Sequence, residues 1–260
     1  MMIIDKLAYS SQLRYKSPFL KSAFAVGTLF ICVGARSFVV SAIVLILMGC
    51  LTVFYSRTSF SHYMKLMTAP FAFLALGTVA IAVNFTDAPM DLLSIPVGTH
   101  YLAVSVTSFT YAIRLILVSL ASVSCLYFLT LTTPLLDLLT VLRRLHCPWI
   151  IVELMMLIYR YIFVLLDMAV AITTAQNCRL GNRDAKTAVQ AMGLMLSVLL
   201  VRALNKSSLL YDAMESRCYD GEIRVLMQSS SSGMKEKAGV TLFLIALLMI
   251  SAVCKWNGGI

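Results

Sequence analysis

From Leu20 to Phe54 the chain is almost continuously apolar for 35 residues, more than one bilayer crossing needs. As a single helix that run would extend about 50 Å, against a hydrocarbon core of about 30 Å. The interruption Gly34-Ala35-Arg36-Ser37 divides it into two predicted spans. Residues 55–65 carry Arg57, His62 and Lys65 and read as a basic return on the inside, after which 66–83 predict a third span. The segment 84–100 changes sign, with Asp87, Asp91 and no Lys or Arg, and belongs outside. Residues 101–130 form a fourth apolar run, about 45 Å if wholly helical, which has to tilt, bend or project beyond the bilayer. Val240 to Cys254 predicts the last span.

Residues 131–238 differ in kind. They stay rich in Leu, Met and Val, yet hold twelve of the 21 Lys and Arg residues and nine of the twelve Asp and Glu residues. Thr132-Thr133-Pro134 predicts a helix start, with Leu135, Leu138, Leu142 and Leu145 on one face and Arg143-Arg144 at its basic end. Pro148 predicts the start of a long helix through Cys178, in which Glu153, Arg160 and Asp167 recur every seven residues as one polar stripe. Residues 149–174 and 187–211 are each apolar enough to span. Crossing would place Arg179, Arg183 and Lys186 outside, against the tendency of basic residues to remain in the cytoplasm. The expectation is therefore an amphipathic cytoplasmic layer packed partly against the bilayer interface, followed by a flexible linker at Ser229–Ser232.

The predicted fold class is all-α: a polytopic membrane protein with about five transmembrane helices plus a cytoplasmic layer of amphipathic helices. Its expected divisions are 1–130 (four spans), 131–238 (the cytoplasmic layer) and 239–260 (the final helix and tail). The N-terminus, with Lys6, Arg14 and Lys16, is expected inside and the C-terminal tail outside. Met1 to Lys21 is too polar for a cleaved signal peptide, so the first helix is expected to stay.

Composition agrees with a membrane protein: 60% of residues are hydrophobic and 13% charged. The net charge of +9 argues for nucleic acid only if the basic residues share a soluble domain, and here they lie mostly between apolar runs. Seven scattered cysteines without CxxC spacing read as small apolar fillers rather than a disulfide or zinc framework. His62, His100 and His146 have no ligand partner at helical spacing, so no metal site is expected. The sequence contains neither a P-loop nor GxSxG, and no catalytic residue is assigned.

Three features remain. Arg114 lies near the middle of the fourth apolar run, where an unpaired Arg costs about 2.5–3.5 kcal/mol on insertion scales. Two readings stand for it: contact with carbonyls or a carboxylate at an interface, or snorkelling to water. The stripe containing Arg160 reads as a solvated or internally paired face, with a site as the alternative. The third feature is a repeat. Ala175-Gln-Asn-Cys-Arg179-Leu-Gly181 and Ala213-Met-Glu-Ser-Arg217-Cys-Tyr-Asp-Gly221 each place Ala four residues before Arg on one helical face, with a Gly soon after where the chain can leave the helix. Charge complementarity at a helix end explains either Arg alone, at about 0.3–1 kcal/mol. The conjunction, twice over, points to docking on a partner, since a guanidinium fork holds a carboxylate bidentately.

At these residues the chain resembles the transmembrane T component of energy-coupling-factor transporters, in its cobalt/nickel branch, the CbiQ family. The resemblance takes in Asp5 through Lys21, Arg114, Leu131-Thr-Thr-Pro134, Pro148, Tyr159-Arg160-Tyr-Ile162 and both arginine turns. It implies a non-catalytic coupling subunit of a cobalt or nickel importer in the bacterial cell membrane. Its expected partners are ATP-binding-cassette ATPases, a substrate-binding S component, a small accessory membrane protein and lipid, with no nucleic acid. ATP and metal would bind those partners, leaving this chain without a cofactor. Arg179 and Arg217 would contact the ATPases, with Ala175 and Ala213 permitting close approach and Gly181 and Gly221 completing the turns. Arg114, Pro134 and Arg160 would be interface or structural residues. The family's Ala-Arg-Gly form is replaced here by Cys178-Arg179-Leu180 and Ser216-Arg217-Cys218. A self-contained membrane enzyme and a conventional permease subunit are the alternative expectations.

Overall fold

The computed structural model describes residues 8–9, 11, 13, 16–56, 59–82, 84–86, 93–97, 100–104, 106–221, 223 and 233–256. Lys6, Arg14, Arg57, Asp87, Asp91 and the linker Ser229–Ser232 lie outside the described residues. The chain forms two compact units, one from residues 2–141 with 229–260 and the other from residues 142–228.

The first unit begins with α1 (Pro18–Ala35) and α2 (Phe38–Ser56). They part where the polar interruption predicted: Arg36 takes a left-handed conformation, φ 45°, which ends α1. Helix α3 (Phe60–Ala82) starts earlier than the expected third span and contains Pro70, so residues 60–65 are helix rather than a free return. Three short strands follow: β1 (Asn84–Thr86), β2 (Leu93–Val97) and β3 (His100–Val104). They pair antiparallel in the order β1-β3-β2, with Ile95 opposite Leu102. This small sheet takes residues 101–104 from the expected fourth apolar run, and α4 runs Val106–Thr132. Arg114 is consequently the ninth residue of α4 and not near its middle; it is half-buried.

The core of this unit lies among α1, α2, α4 and the last helix, α8 (Met234–Trp256). Ala25, Cys32, Val40, Val44, Met48, Ala121, Cys125, Phe128 and Leu247 are buried there, and Phe24 packs edge-on against Phe128 and beside Phe243. Small hydroxyls share this core because each is satisfied by its own helix: Thr28 donates to Phe24 O, Ser41 to Ser37 O and Thr52 to Met48 O. Small side chains let the helices approach, and polar contacts join them: Thr28 to Cys125 Sγ, Cys32 Sγ to Ser41, and Tyr63 with Ser124 at 2.8 Å.

One charged group is also built in. Lys21, 6% exposed, donates to Leu13 O at 3.0 Å and Thr132 O at 3.1 Å. A cation in the first turn of α1 opposes that helix's dipole, whereas the carbonyl end of α4 supplies the opposite pole. Ser56 donates to the preceding carbonyl, Leu131 O, at 3.1 Å. The end of α4 is thus capped by side chains from two other helices. Pro134, fully buried, then begins α5 (Leu135–Arg144), its carbonyl accepting from Asp137 and Leu138. The predicted leucine face of α5 is not its buried face: Leu135 is exposed, while Leu139 and Val141 are buried.

The second unit holds the end of α5 with two long helices, α6 (Trp149–Cys178) and α7 (Ala185–Glu215). Pro148 stands at the N-cap of α6 as the sequence predicts.

Six described helices are long and apolar enough to cross a membrane: α1, α2, Thr110–Thr132 within α4, α6, α7 and α8. They include the two helices that the charge pattern assigned to an interfacial layer. The architecture is that of a helical multi-pass membrane protein, and large side chains such as Phe30, Phe54, Phe73, Leu194 and Leu200 stand exposed on it.

Candidate coupling site

Both arginine turns lie in the second unit, and both have the same backbone. In the first, Leu180 N–H donates to Asn177 O at 3.1 Å and Gly181 N–H to Gln176 O at 2.8 Å. In the second, Cys218 N–H donates to Glu215 O at 2.9 Å and Tyr219 N–H to Met214 O at 3.1 Å. Each is a Schellman motif with the arginine as the last, half-helical residue. The left-handed residue is the one after it: Leu180 at φ 58° and Cys218 at φ 57°.

The sequence placed the exit from each helix at Gly181 and Gly221. The structure moves it upstream, because the hydrogen-bonding pattern demands a left-handed residue immediately after the arginine. Those are the positions at which Leu180 and Cys218 replace the glycine of the Ala-Arg-Gly form. The glycines serve otherwise. A Cβ on Gly181 would stand 3.1 Å from Gln176 O, so its lack of a side chain permits the closing hydrogen bond. Gly221, at φ 92°, passes the Trp149 ring.

Arg179 and Arg217 are exposed and make no ion pair among the described residues; Ala175 and Ala213 are exposed on the same helix ends. The structure does not bring the two turns together. They flank α7, whose 31 residues separate them by about 46 Å of helix. At its start α7 is capped by Asp184, whose N–H donates to Thr187 Oγ1 at 3.0 Å. The hairpin is tied close by, where Gln176 Nε2 donates to Ala191 O at 2.8 Å.

At the far end of α7 the chain returns to the base of α6. Tyr219 Oη donates to Glu153 Oε1 at 2.7 Å, beside a shallow cleft lined by Arg143, Trp149, Val152, Glu153, Met156 and Ile223. Glu153 is 8% exposed. The bond to Glu153, with burial and the nearby charge of Glu153 and Asp220 adding to it, pushes the Tyr219 hydroxyl up to about 12. The predicted polar stripe therefore divides: Glu153 is buried and paired, while Arg160 and Asp167 are exposed on α6. Arg114 and Pro134 belong to the first unit. Sequence reasoning missed Tyr219 and Trp149, because nothing local connects Tyr219 with a carboxylate 66 positions away. Among the described residues, no three His, Cys, Asp or Glu side chains gather to hold a metal ion.

Fold and site together define a multi-pass helical membrane protein with an exposed Arg at the end of each of two long helices. The family model described as cobalt transport protein, CbiQ, matches residues 10–229, and the chain belongs to the CbiQ family. Among relatives, an uncharacterized protein of Methanocaldococcus jannaschii is 32% identical, over 97% of this chain and 94% of that one. The cobalt transport protein CbiQ of Salmonella typhimurium is 26% identical over 85% of this chain and 99% of its own length. A protein of Methanocorpusculum labreanum named as a fused cobalt transport protein, CbiMQ, is 29% identical over 97% of this chain, which spans 42% of that longer protein.

Proposed function

We propose that this chain is the transmembrane coupling subunit, the T component, of an ATP-driven energy-coupling-factor importer for cobalt or nickel. ATP is bound and hydrolysed by ATP-binding-cassette partners, and the metal is carried by a separate substrate-binding membrane subunit. The carrying observation is the pair of Schellman turns, each capped by an exposed Arg, at the two ends of one 31-residue helix. A separation of about 46 Å is too wide for one binding pocket and suits two docking sites, one on each of two ATPase subunits. Each guanidinium offers a fixed fork to a carboxylate on its partner.

Two further observations support this reading. Helix α7 leaves Val189, Leu194, Leu200 and Leu204 exposed, an apolar surface suited to lipid or a membrane partner. The fused relative, named for CbiMQ, joins a counterpart of this chain to additional protein in one polypeptide. Motion of the ATPases would move the arginine-tipped helices, and these would reorient the substrate-binding subunit.

The test is co-expression with P-loop ATPases followed by affinity capture and cobalt uptake in vesicles. Arg179→Glu with Arg217→Glu is expected to abolish capture and uptake while the protein remains in the membrane. Each single reversal should weaken capture by more than half, since two linked contacts reinforce one another. Failure of any ATPase to co-purify with the wild-type chain, or full uptake by the double variant, overturns the proposal.

A further inference from the structure

We infer that Tyr219 and Glu153 form a latch that holds the Arg217 turn in position on α6, and that this latch makes the two arginine turns mechanically unequal. The inference rests on the coupling role proposed above for the turns, but its geometry is independent of any partner. Tyr219 is the residue that closes the Arg217 turn through its backbone, donating to Met214 O at 3.1 Å. Its side chain reaches from the same position to Glu153 at 2.7 Å. One residue therefore joins the cap of α7 to the base of α6. Two positions later Gly221 lies beside the Trp149 ring of α6.

Among the described residues, the closing residue of the Arg179 turn makes no side-chain bond to another helix. That residue is Gly181, which has no side chain to tether, and the side-chain bonds nearby, Asn182 Nδ2 to Asn177 Oδ1 across the turn and Gln176 Nε2 to Ala191 O, both lie within the α6–α7 hairpin. Thus Arg179 is carried by a hairpin, whereas Arg217 is carried by a turn fastened across the unit. The fastening is strong for its size. A phenol donating to a carboxylate is a charge-assisted bond, and Glu153, 8% exposed, loses its donor if the bond opens. Opening would leave the Arg217 turn pivoting on the end of α7. Tyr219 and Glu153 are accordingly positioning residues for transmission of force through Arg217.

The experiment reads the latch directly and then its consequence. A spin label is attached at Cys218, which is exposed and lies within the turn, after Cys50, Cys147, Cys178 and Cys254 are changed to Ser. Tyr219→Phe removes only the hydroxyl and is expected to raise the mobile-to-immobile ratio of the label about tenfold or more. Glu153→Ala should match it, and Glu153→Gln, which keeps an acceptor oxygen, should restore most of the immobilisation. In vesicles containing the ATPase, Tyr219→Phe should still capture the ATPase but transport at least threefold less cobalt per ATP hydrolysed, with Glu153→Gln rescuing it. An unchanged label in both Tyr219→Phe and Glu153→Ala overturns the latch. A freed label with an unchanged ratio of transport to hydrolysis overturns its role in coupling. Failure of the coupling proposal itself is distinguished by the Arg179→Glu, Arg217→Glu capture experiment, which the label does not involve.

Discussion

Replacing Lys21 with Met tests whether a buried cation organises the membrane unit. The ammonium is 6% exposed and donates to Leu13 O and Thr132 O, joining the N-terminal segment and α1 to the carbonyl end of α4. Met has similar length and no donor, so Lys21→Met leaves two carbonyls without this partner at a cost of about 1–3 kcal/mol each. Against that gross 2–6 kcal/mol stands the relief of no longer burying a charge, which in other proteins offsets much of such a loss. The expected net destabilisation is about 2–4 kcal/mol. For a chain of this size that corresponds to a fall of roughly 5–15 °C in the thermal midpoint. Ser56→Ala calibrates the scale, because it removes one neutral bond to the adjacent carbonyl, Leu131 O, and should cost about 1 kcal/mol. Both donors serve consecutive carbonyls, so the double variant should deviate from additivity. The measurement is thermal unfolding of detergent-purified protein followed by size-exclusion chromatography. A midpoint for Lys21→Met within about 2 °C of wild type would refute the reasoning, since that is less than one kcal/mol.

Other outcomes follow from the turns. Leu180→Gly and Cys218→Gly should each stabilise their turn by about 1 kcal/mol, because release of the left-handed strain of about 1–2 kcal/mol exceeds the added flexibility of the unfolded chain; slower amide exchange at Gly181 and Tyr219 would register it. The Tyr219 hydroxyl is raised from about 10 when unfolded to about 12, and faces Glu153, Asp220 and Tyr211. Its contribution is therefore fully present below about pH 10 and lost as pH rises through 12, so label mobility at Cys218 should increase in that window in wild type but not in Tyr219→Phe. Cysteines placed at Arg183 and Ser230 and labelled with an impermeant maleimide are expected to react from the same, cytoplasmic, side. Reaction from opposite sides would show that α7 crosses the bilayer.

Polar interruptions in oily runs made much of the helical framework legible. Arg36 broke a 35-residue apolar run because a charged residue and a chain reversal coincide there, and Pro134 and Pro148 marked the starts of α5 and α6 because proline suits a first turn. The strands between 84 and 104 were hidden because β3 is a short apolar run continuous with the apolar start of α4, and composition alone does not separate strand from helix there. That ambiguity also displaced Arg114 from the middle of its helix toward the start. The leucine periodicity of α5 predicted an apolar face correctly as a pattern, but burial went to Leu139 and Val141, because packing partners choose which face is covered.

The two arginine turns divide the same way. Sequence alone determined that two helices end in Arg with a small residue one turn before, since helix periodicity and chain-exit signals are local. Only the tertiary structure decided that Leu180 and Cys218 carry the left-handed conformation, that α7 holds the two cations about 46 Å apart, and that Tyr219 fastens one of them to Glu153. The same holds for Lys21, whose acceptor on Thr132 lies 111 positions away. A charge or hydroxyl in an apolar chain must find a partner, and that requirement is written in the sequence. Which partner it finds depends on how distant helices pack.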